Sequence, residues 1–236
     1  MSLPDWISRK RVWIFDLDDT LFPEIDFVFS GYRAVSEKVF EDFSVDIEPI
    51  LRARFLRGER GDLFTPSLAE KGVDPGEPYV KTLVDTYRTH APQLSMYVDA
   101  TALLTALAQA NCRLGVVTDG WEQVQARKVK ALNLASQVDA VVLTDAIGGR
   151  PTWKPDPAGY RTCLDELDAA PDDAVFVGDN PMKDFVGARR VGIASVRVRR
   201  PVTECFNAAP APGNEADTEV SSLAEVLRRL HSSMDQ

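Results

Sequence analysis

Residues 11–22 have the sequence RVWIFDLDDTLF, in which a short apolar run breaks off into a cluster of carboxylates. Apolar runs rich in β-branched and aromatic residues predict a buried strand. Carboxylates at the end of a buried strand are costly unless they are paired or bound to a cation. The stretch therefore predicts a functional site at the carboxyl end of a strand, although a turn whose Asp residues cap a helix would have the same composition.

Asp16 and Asp18 are separated by one residue as the chain leaves this strand, so the backbone can direct both carboxylates into one crevice. Two close carboxylates repel each other unless one takes a proton or a hard cation such as Mg²⁺ lies between them. The pair could also divide the work of covalent catalysis. Asp16 would then attack an electrophile, and Asp18 would carry a proton to the leaving group.

Composition narrows the classes of function. A chain of 236 residues is long enough for one α/β domain with a modest insertion, and its formal net charge of −9 argues against nucleic acid as a partner. Three widely spaced cysteines and two histidines leave little material for a disulfide framework, a zinc site or a Ser-His-Asp triad. No apolar run is long enough to span a bilayer, and the N-terminus does not resemble a signal peptide. We therefore expect a cytoplasmic protein with no membrane partner, whose chemistry depends on carboxylates.

A helical insertion is predicted for residues 23–95. Apolar residues recur there at spacings of three or four, as an amphipathic helix requires: Ile25, Phe29, Tyr32, Val35, Val39 and Phe43. Weaker helical patterns cover residues 49–55 and 79–87, and glycine-rich turns separate them. The block contains no strand pattern, so it is expected to be entirely helical.

Strands and helices alternate through the rest of the chain. Further strands are predicted at residues 113–117, 140–143, 174–177 and 194–198, each preceded by a helical pattern. Alternation of this kind predicts an α/β fold with a doubly wound parallel sheet and right-handed crossovers. Residues 201–219 are rich in Pro, Ala and Gly, and they are predicted to form a long loop before a final helix at about residues 221–231.

Polar groups recur where these strands end. Thr118 and Asp179 each follow a predicted strand, as Asp16 and Asp18 do, and Lys154 lies just before a predicted helix. In open α/β sheets the ligand site lies beyond the carboxyl ends of the strands. Separate segments are therefore expected to contribute charged and hydroxyl groups to one edge of the sheet.

Four motifs on these segments resemble those of the haloacid dehalogenase-like (HAD) hydrolases. They are DLDDT at residues 16–20, VVTDG at 116–120, the lysine of WKPDP at 154 and GDNPMKD at 178–184. The resemblance extends over essentially the whole chain outside the insertion. It implies a Rossmann-like catalytic core of residues 1–22 and 96–236, with residues 23–95 as a helical cap that closes over the site.

The resemblance also implies roles for the site residues. Asp16 would attack phosphorus and form an aspartyl-phosphate, while Asp18 would protonate the leaving oxygen and later deprotonate water. Asp16, the carbonyl of Asp18 and Asp179 would hold Mg²⁺. Thr118 would bind a phosphoryl oxygen, and Lys154 would pair with Asp16 and the phosphoryl group. Charge neutralisation of this kind is the main contribution of proteins to phosphoryl transfer.

The implied activity is Mg²⁺-dependent hydrolysis of a small phosphomonoester, such as a sugar phosphate, a nucleoside monophosphate or a phosphoglycolate-like compound. Members that resemble true dehalogenases lack the aspartate at the position of Asp18, which disfavours dehalogenation. A phosphomutase with the same site and a catalytically silent member that acts as a binding partner remain alternatives. The sequence leaves a monomer and a homodimer equally open.

Plainer interpretations exist for single residues. Thr118 could cap the following helix, and Lys154 could be a solvated loop residue. Asp184 is interpreted as a residue that supports the ligands rather than as a ligand itself, because Asp179 lies nearer the strand end. The roles of Asp119 and Asn180 stay open.

Overall fold

The computed structural model describes residues 4–201, 203 and 205–234. The chain divides into two compact units, one formed by Met1–Pro23 with Ser95–Gln236 and the other by Glu24–Leu94. The first is called the core unit and the second the helical unit.

The helical unit contains four helices: α1 Glu24–Phe43, α2 Glu48–Leu56, α3 Phe64–Glu70 and α4 Glu77–Thr89. The periodic patterns predicted α1, α2 and α4, whereas α3 was not predicted because seven residues carry too little periodicity. The four helices enclose a small apolar core of their own that includes Val35, Val39, Leu51 and Leu83. Gly31 lets α1 approach α4, since a Cβ there would lie 2.5 Å from ring carbons of Tyr87.

The core unit contains a six-stranded sheet in which all paired strands are parallel. Its strands are β1 Val12–Phe15, β2 Arg113–Thr118, β3 Ala140–Leu143, β4 Ala174–Gly178, β5 Ala194–Val198 and β6 Thr218–Val220. They lie in the order β3-β2-β1-β4-β5-β6. The chain winds outward from β1 in both directions, so the predicted doubly wound α/β fold is confirmed.

In the described part of the core unit the α-helices are α5 Val98–Gln109, α6 Glu122–Ala131, α7 Thr144–Gly148, α8 Ala158–Glu166, α9 Asp184–Arg190 and α10 Leu223–Met234. Five of them, α5, α6, α8, α9 and α10, correspond to the helical patterns predicted before each later strand and to the predicted final helix. The exception is α7, a single turn that was not predicted. None of the helices that the structure describes combines the length and the apolar composition needed to cross a membrane.

The prediction that residues 201–219 form one long loop is wrong at its end. Residues Thr218–Val220 form β6, which pairs with β5 in the register Val196↔Thr218 and Val198↔Val220. Three residues are too few to show a period-two pattern, so the strand could not be predicted from the sequence alone. Val202 and Glu204, which fall within the range predicted as loop, lie outside the described residues.

The centre of the sheet is tightly packed around β1 and its neighbours. All four residues of β1 are buried, as expected for a strand covered on both faces. Gly115 in β2 lies against α8, where a Cβ would come within 2.5 Å of Cys163 Sγ and 3.1 Å of Leu167 Cδ1. The strand and the helix are therefore in contact at a position that only glycine fits.

Gly115→Ala is expected to lower the free energy of unfolding by about 1–3 kcal/mol, because an overpacked core must shift to admit a methyl group. Urea unfolding of the variant and the wild type measures the change. In the double variant with Cys163→Ala the loss should be smaller than the sum of the two single losses, since the substitution removes one clashing atom. Strictly additive losses would contradict this explanation.

Candidate active site

The position of β1 in the sheet brings the predicted site residues together. Phe15, its last residue, pairs with Val116 of β2 on one side and Val177 of β4 on the other. The backbone N–H of Asp16 continues the pairing by donating to the Val177 carbonyl at 2.8 Å. Asp16 therefore leaves the sheet between the ends of β2 and β4, where Thr118 and Asp179 lie.

A tight turn follows Asp16. The Leu21 N–H donates to the Leu17 carbonyl at 2.9 Å, and Asp19 takes a left-handed conformation with φ 53°, which Asp adopts more readily than most residues. Asp16 is buried, whereas 19% of the Asp18 side chain is exposed. The turn thus places Asp16 and Asp18 in different surroundings.

Lys154 is fully buried and forms ion pairs with two of the aspartates. Its ammonium group contacts Asp16 Oδ1 and lies 2.8 Å from Asp184 Oδ1. Asp119 positions this lysine, since its Oδ1 accepts a hydrogen bond from the Lys154 backbone N–H at 2.9 Å. The interpretation of Lys154 as a solvated loop residue is therefore wrong. Asp119, whose role the sequence left open, supports the loop that carries Lys154.

Asp184 reaches the site from the first turn of α9. Its Oδ2 accepts a hydrogen bond from the Asn180 backbone N–H at 2.9 Å. Gly178 makes room for it, because a Cβ at that position would lie 2.9 Å from Asp184 Cγ and even closer to Oδ2. The glycine of the fourth motif thus allows the carboxylate to lie directly against the end of β4.

Asp16, Asp179 and Asp184 form an acidic cluster whose potential ligand atoms all lie within 4.8 Å of one another. Burial raises the pKa of Asp16 to about 7, although Lys154 opposes this rise. Burial, Asp184 and Asp16 together raise the pKa of Asp179 to about 9. Burial lowers the pKa of Lys154, but Asp16 and Asp184 outweigh it and hold that pKa well above its usual value.

Burial and mutual repulsion thus disfavour the ionised forms of Asp16 and Asp179 although Lys154 and Lys183 favour them, so keeping all the carboxylates ionised calls for further positive charge. Carboxylate oxygens are the ligands that Mg²⁺ and other hard divalent cations prefer. A cation held by this group would supply the missing positive charge, so the residues fit a metal site. Asp184 belongs to this group by the distances between ligand atoms, and it also supports the group because its two oxygens accept hydrogen bonds from Lys154 and Asn180.

Arg197 of β5 holds the backbone at Asp179. Its Nε donates to the Asp179 carbonyl at 3.2 Å, and its Nη2 donates to the carbonyls of Cys205 at 2.7 Å and Ala208 at 2.9 Å. The guanidinium group is buried. It joins the segment after β5 to the residue that follows β4.

Asp18 and Thr118 are connected through α6, which the sequence analysis did not include in the site. Lys128 and Gln125 of this helix bind the Asp18 carboxylate, and Gln125 also donates to the Thr118 hydroxyl. The structure thus brings Asp16, Lys154 and Asp179 into one cluster and places Asp18 with Thr118 in a second network. A signal for the second network was present, since polar residues occupy the face of α6 that a core helix would fill with apolar ones.

The fold and this site define an enzyme built on a doubly wound parallel sheet, with acidic residues at the carboxyl end of its central strand. The family model described as haloacid dehalogenase-like hydrolase matches residues 13–198. The glyceraldehyde 3-phosphate phosphatase of Methanopyrus kandleri is 31% identical over 196 residues, covering 79% of this chain and 83% of that protein. The (S)-2-haloacid dehalogenase 1 of Pseudomonas sp. is 30% identical over 148 residues, covering 63% and 61%.

Solved structures agree with this result. The HAD phosphatase from Thermococcus onnurineus superposes with a TM-score of 0.60 at 26% identity, covering 93% of this chain and 97% of that one. The chain therefore belongs to the haloacid dehalogenase-like hydrolases, on the phosphatase side of that family.

The stability of the metal-free protein is expected to fall as the pH rises from about 5 to about 9. Asp16 and Asp179 have folded-state pKa values of about 7 and about 9 against an ordinary value of 3.8. The folded protein therefore keeps protons that the unfolded chain has already released, and stability falls wherever this is so. Melting temperatures measured across this range in a chelating buffer test the sign.

Two variants show whether the cluster or other titrating groups cause the dependence on pH. Asp179→Asn should flatten the dependence on pH, whereas Asp165→Asn, at an exposed position of α8, should leave it unchanged. Mg²⁺ should raise the melting temperature more at high pH than at low pH, since ligands bind in their deprotonated form. An equal slope in wild type and Asp179→Asn would contradict the assignment to the cluster.

Proposed function

We propose that this protein hydrolyses phosphomonoesters of small metabolites through an aspartyl-phosphate on Asp16, with Mg²⁺ as its cofactor. The observation that carries the proposal is the pairing of Asp16 with buried Lys154 at the end of the central strand. Lys154 holds a positive charge beside the attacking carboxylate, where a phosphoryl group would approach. Asp18 follows two residues later, within a turn that keeps it apart from the cluster.

The reaction has two halves. In the first, Asp16 attacks phosphorus, the bond to the leaving oxygen breaks, and Asp18 gives that oxygen a proton. In the second, Asp18 takes a proton from water, the water oxygen attacks phosphorus, and inorganic phosphate leaves Asp16. Each half returns Asp18 to the state that the other half needs.

Lys154 and Thr118 are proposed to bind the phosphoryl group. The Lys154 ammonium would neutralise one oxygen, and the Thr118 hydroxyl would donate a hydrogen bond to another. Mg²⁺ would be held by Asp16, the Asp18 carbonyl and Asp179, with Asp184 at the same cluster, and it would supply further positive charge to the phosphoryl oxygens.

Support for a small substrate comes from the relatives. Glyceraldehyde 3-phosphate phosphatase, phosphoserine phosphatase and phosphoglycolate phosphatase are all among them. We propose a substrate of the same chemical class, with the helical unit as the cap that selects the leaving group. A haloacid dehalogenase is also a relative, but Asp18 supplies a proton carrier that attack on carbon does not need. A cytoplasmic location and a monomeric or homodimeric state remain predictions.

Phosphate release from a panel of sugar phosphates, nucleoside monophosphates and small phosphoacids, with Mg²⁺ and with chelator, tests the proposal. Wild type should release phosphate from one chemical class only when Mg²⁺ is present. Asp16→Asn should lower kcat by at least about a thousandfold, because loss of a nucleophile removes the covalent path. Asp165→Asn is the matched control and should retain wild-type activity.

Three results would contradict the proposal. Most of the activity surviving in Asp16→Asn would exclude the covalent mechanism, and full activity in chelator would exclude the metal. Isomerised substrate without free phosphate would show a phosphomutase instead of a phosphatase.

A further inference from the structure

The inner face of α6 is polar where a core helix is normally apolar. The buried residues of this helix are Gln125 and Lys128, which lie one turn apart. Only 1% of Gln125 and 4% of the Lys128 side chain are exposed. Burying an amide and an ammonium group is unfavourable unless each finds partners, so their partners identify what the two residues do.

Both oxygens of the Asp18 carboxylate are bound by this pair. Lys128 Nζ lies 2.6 Å from Asp18 Oδ1, and Gln125 Nε2 donates to Asp18 Oδ2 at 2.9 Å. Two donors on two oxygens fix the plane of a carboxylate as well as its position. The side chain of Asp18 is thereby held in one orientation.

Gln125 extends this restraint to Thr118. The same amide nitrogen donates to Thr118 Oγ1 at 2.5 Å. An amide nitrogen has two protons, so Gln125 Nε2 can donate one to Asp18 Oδ2 and the other to the Thr118 hydroxyl. Because Thr118 accepts this bond, its own proton can be donated elsewhere, as binding of a phosphoryl oxygen requires.

The surroundings of the pair fit this arrangement closely. Gly120 has φ 122°, and a Cβ there would lie 3.3 Å from Gln125 Cδ. The Lys128 ammonium lies 5.9 Å from the centre of the Phe22 ring, at a distance typical of a cation–π contact. The glycine of the second motif thus leaves space for Gln125, and an aromatic residue that follows the first motif covers Lys128.

We propose that Gln125 and Lys128 are positioning residues that hold the Asp18 carboxylate in register with the Thr118 hydroxyl, so that the proton carrier and the phosphoryl-binding hydroxyl keep a constant separation. The inference rests on the proposed function, because it assigns the pair a task in the proton transfer that Asp18 performs. The hydrogen bonds of the pair described above go to Asp18 and Thr118, the residues proposed to handle the leaving group and the phosphoryl oxygen. Their effect is therefore expected on the leaving group and not on the attack by Asp16.

Dependence on the leaving group separates this role from a structural one. A leaving oxygen that is stable as an anion needs no proton, whereas a poor leaving group depends on the acid. Benzyl, phenyl, 4-nitrophenyl and 2,4-dinitrophenyl phosphates form a series of similar size in which this need decreases. The value of kcat/KM reports the first half of the reaction, in which the leaving group departs.

The experiment measures kcat/KM for this series in wild type, Lys128→Met, Gln125→Leu and Asp18→Asn. Lys128→Met and Gln125→Leu should lose about 10–100-fold on benzyl phosphate, a part of what a general acid contributes, and less than about threefold on 2,4-dinitrophenyl phosphate. Lys128→Arg, which keeps the charge, should recover part of the loss. Adding Lys128→Met to Asp18→Asn should cause almost no further loss, because the pair acts through Asp18.

Matched controls lie on the same helix. Lys130→Met and Gln123→Leu make the same chemical changes at exposed positions, and both should match wild type across the series. Circular dichroism and the melting temperature check that each variant is folded. Should Lys128→Met fail to fold, Gln125→Asn retains an amide that is one methylene shorter, and it should show the same dependence on the leaving group.

Several outcomes would overturn the inference. A uniform loss across the series would show a structural role, and a rise in KM with unchanged kcat would show that Lys128 binds substrate. Additive losses in the double variant would show that the pair does not act through Asp18. If Asp18→Asn loses activity but Lys128→Met remains fully active, the inference is refuted and the proposed function stands. If the wild type has no phosphatase activity, the proposed function is refuted as well.

Discussion

The burial of three carboxylates side by side at the end of the central strand is the constraint on which the rest of this structure depends. Three buried carboxylates lie within a few ångströms of one another, and a single buried lysine pairs with two of them. In a medium of low polarity such a group strongly attracts protons or cations. Much of the surrounding architecture maintains this group: β1 lies between two strands that end beside it, and Gly178 gives Asp184 its place.

The fold separates two kinds of electrostatic surroundings over a very short distance along the chain. Asp16 belongs to a buried cluster with Lys154, while Asp18, two residues later, is partly exposed and bound to α6. A nucleophile and a proton carrier need different surroundings, since one must stay ionised while it attacks and the other must exchange protons. The turn with a left-handed residue at Asp19 separates the two side chains. Asp16 then pairs with Lys154 and Asp18 with α6, so the two carboxylates of one motif have different surroundings.

The order of strands and helices was predictable because each long element has a clear period. The residues of the four motifs were predictable as candidates because polar groups at strand ends are unusual. The elements α3, α7 and β6 were missed since each is too short to show a period. Gln125 and Lys128 were missed for another reason: their contacts with Asp18 span more than 100 positions of the chain. The closeness of Asp184 to the cluster likewise follows from packing at Gly178, which no local pattern reveals.

The core unit has a feature that bears on how this chain could change over evolution. The helical unit is inserted into the chain of the core unit after residue 23 and ends before residue 95. Close to these two positions, the Tyr97 backbone N–H donates a hydrogen bond to the Leu21 carbonyl at 2.9 Å. A segment whose two attachment points are neighbours can be lengthened, shortened or exchanged with little disturbance to the sheet. The helical unit can therefore diversify in sequence and length while the sheet and the acidic cluster of the core unit stay constant.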